Sequence, residues 1–150
     1  RTSYLGGGDS GACMARVNQF CANHGYTTTS MGRLLLASNE YGDNYTSVYD
    51  CGAFLRGVYD KSLTGADSMF NLLAQQQRRH KIPAQLPAGV HTASKTGELA
   101  DVENDVAILY DTPCGKDLII CFMSENLSDP GNAQSFIAYE SARTYKYFAG

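Results

Sequence analysis

The chain has 150 residues, 43% of them hydrophobic and 18% charged, which suits one globular domain of ordinary size. Its net charge of −3 and pI near 5.5 give no sign of the clustered basic face that nucleic-acid binding usually needs. No stretch approaches the roughly 20 apolar residues of a membrane-spanning helix.

The one basic run, Arg78-Arg79-His80-Lys81, is expected to be a solvated helix end, where cations complement the helix dipole. The sequence opens on Arg1 rather than Met, and no secretory leader is expected within these residues. It is therefore expected to be processed, trimmed, or part of something longer. Five cysteines (Cys13, Cys21, Cys51, Cys114 and Cys121) include no Cys-x-x-Cys, and no His pair stands at ligand spacing. No metal or cofactor is expected. The odd count leaves at least one thiol free or paired between chains. Cys13 and Cys21, eight apart, read as buried apolar groups on one helix face; a disulfide stays open.

Gly6-Gly7-Gly8 breaks the chain, and Asp9 or Ser10 can cap a helix running to about Asn23. Cys13, Met14, Val17, Phe20 and Cys21 recur at helical spacing. His24-Gly25 ends the helix, with His24 as a terminal cation. Residues 26–45 have no clean period and read as a long loop, functional or disordered. Asn44-Tyr45-Thr46 would be a glycosylation site only in a eukaryotic secretory pathway. Thr46 or Ser47 can cap a helix ending near Tyr59. A further helix is expected from about Gly65 to Gln77, with Met69, Leu72 and Leu73 inward. Pro83 and Pro87 mark a non-helical loop.

Strands are expected at 90–95, 105–110 and 117–124, the last two joined by a hairpin connection over Thr112–Lys116. Their apolar residues are successive, so both faces of the sheet should be covered. A terminal helix over 131–148 would pack Phe136, Ile137, Tyr145 and Phe148 on one face. The fold class is α/β, more closely α+β: an antiparallel sheet of three strands flanked by helices. Residues 1–80 would be mainly helical, and 81–150 would carry the sheet and the last helix.

Lys95-Thr96-Gly97 follows the first strand. A cation, a hydroxyl and a glycine in a row at a sheet edge form a binding rail for an acyl substrate. Ser94 should point to the opposite face from Lys95 by strand alternation, which argues against it as a nucleophile.

At these residues the chain resembles the C-terminal half of the class A β-lactamase-like, penicillin-recognising serine hydrolases. Lys95-Thr96-Gly97 matches that family's third motif. Lys81-Ile82-Pro83 and Leu86-Pro87-Ala88-Gly89 resemble the approach to its edge strand. Gly6-Gly7-Gly8-Asp9 resembles the turn after its Ser-Asp-Asn element. The loop from about Gly32 to Asn44, closing with Tyr45-Thr46-Ser47, resembles its omega loop. The resemblance implies a β-lactamase/transpeptidase-like fold present in part: three C-terminal strands plus helices.

The chain also departs from the pattern. Ser-x-x-Lys, the nucleophile motif, occurs nowhere in the 150 residues, and Ser38-Asn39-Glu40 matches Ser-Asp-Asn only superficially. Glu40, the loop's only glutamate, lies too near the next helix to match the family's deacylating glutamate. Asn104 stands near the position of the family's carboxylate-binding arginine. Glu98 replaces a small residue.

The resemblance implies acyl transfer from a β-lactam or a peptidoglycan stem peptide to a serine. Lys95 would supply positive potential and order the proton network. The Thr96 hydroxyl would bind the substrate carboxylate. Gly97 would let the substrate lie along the strand as an added strand. The backbone N–H of Glu98 would be one of two oxyanion donors. The nucleophile is expected on an upstream half or a second chain that completes the fold, in a secreted or envelope protein, with the 150 residues inactive alone. Two other readings are a module that binds cell-wall peptide without turnover and a structural accessory domain.

Overall fold

A computed structural model describes residues 7–40 and 42–150. Gly6 of the glycine run lies outside the described residues. The chain groups into two compact units, one ending at Asp50 and one over Cys51–Gly150.

In the first unit, α1 is Ser10–Asn23. Asp9 caps it, its carboxylate accepting from the N–H groups of Gly11 at 2.7 Å and Ala12 at 3.3 Å. Cys13 and Cys21 are buried on one face as free thiols. His24 lies with Nδ1 2.9 Å from the Phe20 carbonyl and its ring stacked on Phe20.

The loop that follows is cross-tied rather than loose. Ser30 and Tyr45 exchange both backbone hydrogen bonds at 2.9 Å. Arg33 Nε meets Asp43 Oδ1 at 2.6 Å. Asn44 Oδ1 accepts from the N–H groups of Gly32 and Arg33. Gly32 is required here, because a Cβ would stand 2.5 Å from the Asp43 carbonyl oxygen. Glu40 is exposed. At the loop's base, buried Asp50 accepts from Thr28 N–H, Thr28 Oγ1 and Thr29 Oγ1 at 2.7–2.8 Å. Burial opposes its charge, but the Thr28 and Thr29 donors outweigh burial and hold its pKa below the ordinary aspartate value.

Helix α2, Val48–Tyr59, starts one residue after Ser47, whose Oγ accepts from Asp50 N–H at 3.1 Å. In the second unit, α3 is Ala66–Ala74, shorter than its sequence suggests. Met69 and Leu73 face inward as expected; Leu72 is 71% exposed, and Phe70 packs in its stead. The Pro83 segment forms one 3₁₀ turn, Ile82–Gln85, with proline in its first turn, where no N–H is needed.

The sheet is antiparallel in the order β1-β2-β3, with β1 His91–Leu99, β2 Val102–Tyr110 and β3 Leu118–Phe122. β1 outruns its expected end at Lys95, because the ladder continues to Leu99 opposite Val102. Both faces are covered. Ala93 and Ile108 pack with Leu55 and Val58 of α2 and with α3. Ala107, Leu109 and Ile120 pack with Ile82 and with Ile137 and Tyr145 of α4, which is Pro130–Ala149. Phe136 and Phe148 of α4 are not on that buried face: they are 58% and 47% exposed, and the small Ala138 and Ser141 are buried instead. Small residues let the helix approach the sheet closely.

Candidate functional site at the edge of β1

β1 is an outer strand of the sheet, so one side of its backbone has no strand partner among the described residues. Lys95, Thr96, Gly97 and Glu98 occupy its middle, opposite Val106, Asp105, Asn104 and Glu103 of β2.

Alternation along β1 separates the four residues. Lys95 is exposed on the face of α2 and α3, with Nζ 2.5 Å from the Thr96 carbonyl. Thr96 stands two residues from Ser94 and so shares the α4 face, buried to 8% exposure. Ser94 is itself buried there, which agrees with the sequence argument against it as a nucleophile. Gly97 is half-buried, and a Cβ on it would meet Asn104 Cβ at 3.5 Å, an ordinary contact. Among the described residues nothing forbids a side chain at 97.

Behind this edge lies a buried ionic cluster. Lys81 is fully buried, which overturns its reading as part of a solvated helix end: α3 stops at Ala74, and the chain turns inward at 81. Its Nζ lies 2.6 Å from Glu103 Oε2, 3.3 Å from Glu98 Oε1, 3.0 Å from the Asn104 carbonyl and 3.3 Å from the Gly97 carbonyl. Gln134 of α4 donates to the other Glu103 oxygen at 2.8 Å. Glu98 also meets Arg78 at 2.5 Å and His80 at 3.1 Å. Burial works against its charge, yet Lys81, Arg78 and His80 hold its pKa below the usual glutamate value.

Asp105 is fully buried, takes the Ile82 N–H at 3.0 Å, and has no hydrogen-bond partner for its other oxygen among the described residues. Burial raises its pKa to about 6. Asn104 is engaged structurally, its Oδ1 accepting from Ser124 N–H at 2.8 Å.

Sequence reading missed Lys81, Glu103 and Asp105. A signal existed. Glu98 and Glu103 pair directly across the hairpin, and like charges so placed repel unless a cation sits between them.

The architecture is that of part of a β-lactamase-type α+β fold: a three-stranded antiparallel sheet, a terminal helix on one face, and a Lys-Thr-Gly edge strand. The chain belongs to the beta-lactamase enzyme family, whose model matches residues 12–148. A comparison with curated proteins found none that matches. Among solved structures, the beta-lactamase from Sphaerobacter thermophilus DSM 20745 is similar at 25% identity and a TM-score of 0.79, over 91% of this chain and 54% of that one. PBP-A is similar at 23% identity and 0.79, over 90% and 51%. A class A beta-lactamase representative from Bacteroides cellulosilyticus DSM 14838 is similar at 18% and 0.78, over 99% and 62%. A variant of PBP-A has been solved as an acyl-enzyme complex with penicillin G. The chain thus spans about half the length of the solved relatives it matches.

Proposed function

We propose that the chain is the C-terminal portion of a serine hydrolase that acts on β-lactams or peptidoglycan stem peptides through an acyl-enzyme. The observation that carries this reading is the outer edge of β1, unpaired among the described residues, which presents Lys95 and Gly97 beside a line of backbone groups. The substrate lies along that edge as an added strand. Lys95 supplies positive potential beside the attacking hydroxyl. The resemblance gives the substrate carboxylate to the Thr96 hydroxyl, although Thr96 is buried on the α4 face, opposite Lys95. Glu98 gives its backbone N–H to the developing oxyanion. The serine comes from an upstream half of the protein, since no Ser-x-x-Lys occurs in these residues. A protein acting on wall peptide works outside the cytoplasm, so we assign it to the envelope or the secreted fraction.

Labelling by a fluorescent penicillin tests the reading. Residues 1–150 should not label, and the chain joined to its upstream half should label at one serine. Labelling of the short chain would overturn it. The absent nucleophile motif favours one rival, a module that binds stem peptide without turnover. Saturable peptide binding by residues 1–150, with no labelling in the joined protein, would select that rival.

A further inference from the structure

The buried ammonium of Lys81 touches the rail itself. Its Nζ lies 3.3 Å from the Gly97 carbonyl oxygen. That carbonyl and the Glu98 N–H are the two ends of one planar peptide, pointing in opposite directions. Whatever fixes the direction of one end fixes the other. A cation on the carbonyl also polarises the peptide and strengthens its N–H as a donor.

We infer that Lys81 is the positioning residue for the oxyanion donor of this site: its ammonium holds the Gly97–Glu98 peptide so that the Glu98 N–H faces the open edge of β1. This rests on the role given to that N–H in the function proposed above.

Three features show a built clamp rather than a stray contact. Lys81 is fully buried, so its ammonium is shut off from bulk solvent and held by three hydrogen-bond acceptors and by the Glu98 carboxylate at 3.3 Å. Glu103, with 4% exposure, supplies its counter-charge at 2.6 Å and is itself held by Gln134 of α4. Lys81 also takes the Asn104 carbonyl at 3.0 Å, and Asn104 is the residue paired with Gly97. One ammonium therefore ties together both strands at the register position of the rail glycine. The unusual acid at 98 fits the same device. Its carboxylate meets Lys81, Arg78 and His80, all of which precede β1, so its side chain turns back toward that segment.

A single Lys81→Met variant strands Glu103 and can fail for that reason alone. The test therefore uses Lys81→Met/Glu103→Leu, since apolar replacement of a buried pair often leaves a fold intact. Lys81→Arg is the conservative control. Each is made in the protein joined to its upstream half, and acylation by a fluorescent penicillin is resolved into pre-complex affinity and acylation rate. The expected result is a folded double variant whose acylation rate falls at least about tenfold with affinity nearly unchanged, and a Lys81→Arg protein within a few-fold of wild type. A purely structural role would lower the melting temperature without this split. An unchanged acylation rate in the folded double variant would overturn the inference and leave the proposed function standing. Absence of labelling in the wild-type joined protein would overturn both.

Discussion

Asp105 stands directly opposite Thr96 across the β1–β2 ladder, on the face turned toward α4, with no exposure to solvent. Its raised pKa, about 6 against an ordinary 3.8, gives a signed expectation. The folded chain holds this proton more tightly than the unfolded chain. The stabilising contribution is therefore complete below about pH 4 and is lost as pH rises through about 6. The gap corresponds to roughly 3 kcal/mol at neutral pH. Asp105→Asn keeps an acceptor for Ile82 N–H and never ionises. Its stability relative to wild type should improve by about 1–3 kcal/mol between pH 4 and pH 7 in urea titrations. A difference that stays flat over that range would contradict the buried-acid account.

Asp50 should respond with the opposite sign. Its lowered pKa means that its contribution is present at neutral pH and disappears as pH falls into the acid range. Asp50→Asn removes the charge that organises Thr28 and Thr29. The variant should melt several degrees below wild type at pH 7, and the two curves should converge on acidification. Equal melting temperatures at neutral pH would show that the threonines organise the loop base unaided.

Lys81 and Glu103 give the largest stability effect expected from one substitution. Lys81→Met leaves the buried Glu103 carboxylate without its cation, held only by the neutral amide of Gln134. Such a loss costs about 3–5 kcal/mol, whereas replacing both partners with apolar groups restores most of it. Chemical denaturation of Lys81→Met and of Lys81→Met/Glu103→Leu measures this directly. A double variant no more stable than the single one would mean that the pair does not act as a unit.

Much of the fold was legible because apolar residues recur with clear periods. α1 and its Asp9 cap follow from the spacing of Cys13, Val17 and Cys21. The apolar run from Val106 to Tyr110 fits a strand covered on both faces. The C-terminal half of β1 was not legible, since Gly97 and Glu98 are poor strand formers and are held by their ladder with β2. Nor was the inward face of α4, where close packing selects Ala138 and Ser141 over Phe136. Lys81 looked solvated because the acids that bury it lie in β1 and β2, far along the chain. Within the rail, the motif located the strand edge, but alternation places Thr96 on the other face from Lys95.

Gly97 separates folding from function. A Cβ there finds ordinary contact with Asn104 and no backbone clash. Glycine in a strand is itself unfavourable by roughly 0.5–1 kcal/mol relative to alanine. Gly97→Ala should therefore fold with unchanged or slightly raised stability. In the joined protein it should nonetheless label at least about tenfold more slowly with a fluorescent penicillin, because a methyl group at the edge displaces the substrate strand. Unaltered labelling would show that nothing lies against residue 97.

The other outer strand makes the last prediction. β3 is five apolar residues, Leu118–Phe122, with one side of its backbone unpaired among the described residues. Beside its end lies a groove of about 420 Å³ lined by Phe122, Leu127, Phe136 and Ile137 among others. An apolar outer strand next to a partly apolar groove is a template for association. If an upstream half supplies the missing neighbour, residues 1–150 alone should self-associate as concentration rises. Adding the upstream half should replace that behaviour with a defined one-to-one complex. Sedimentation velocity distinguishes the two cases. A short chain that stays monomeric at every accessible concentration would mean that β3 needs no covering strand, and the upstream half would lose its structural rationale.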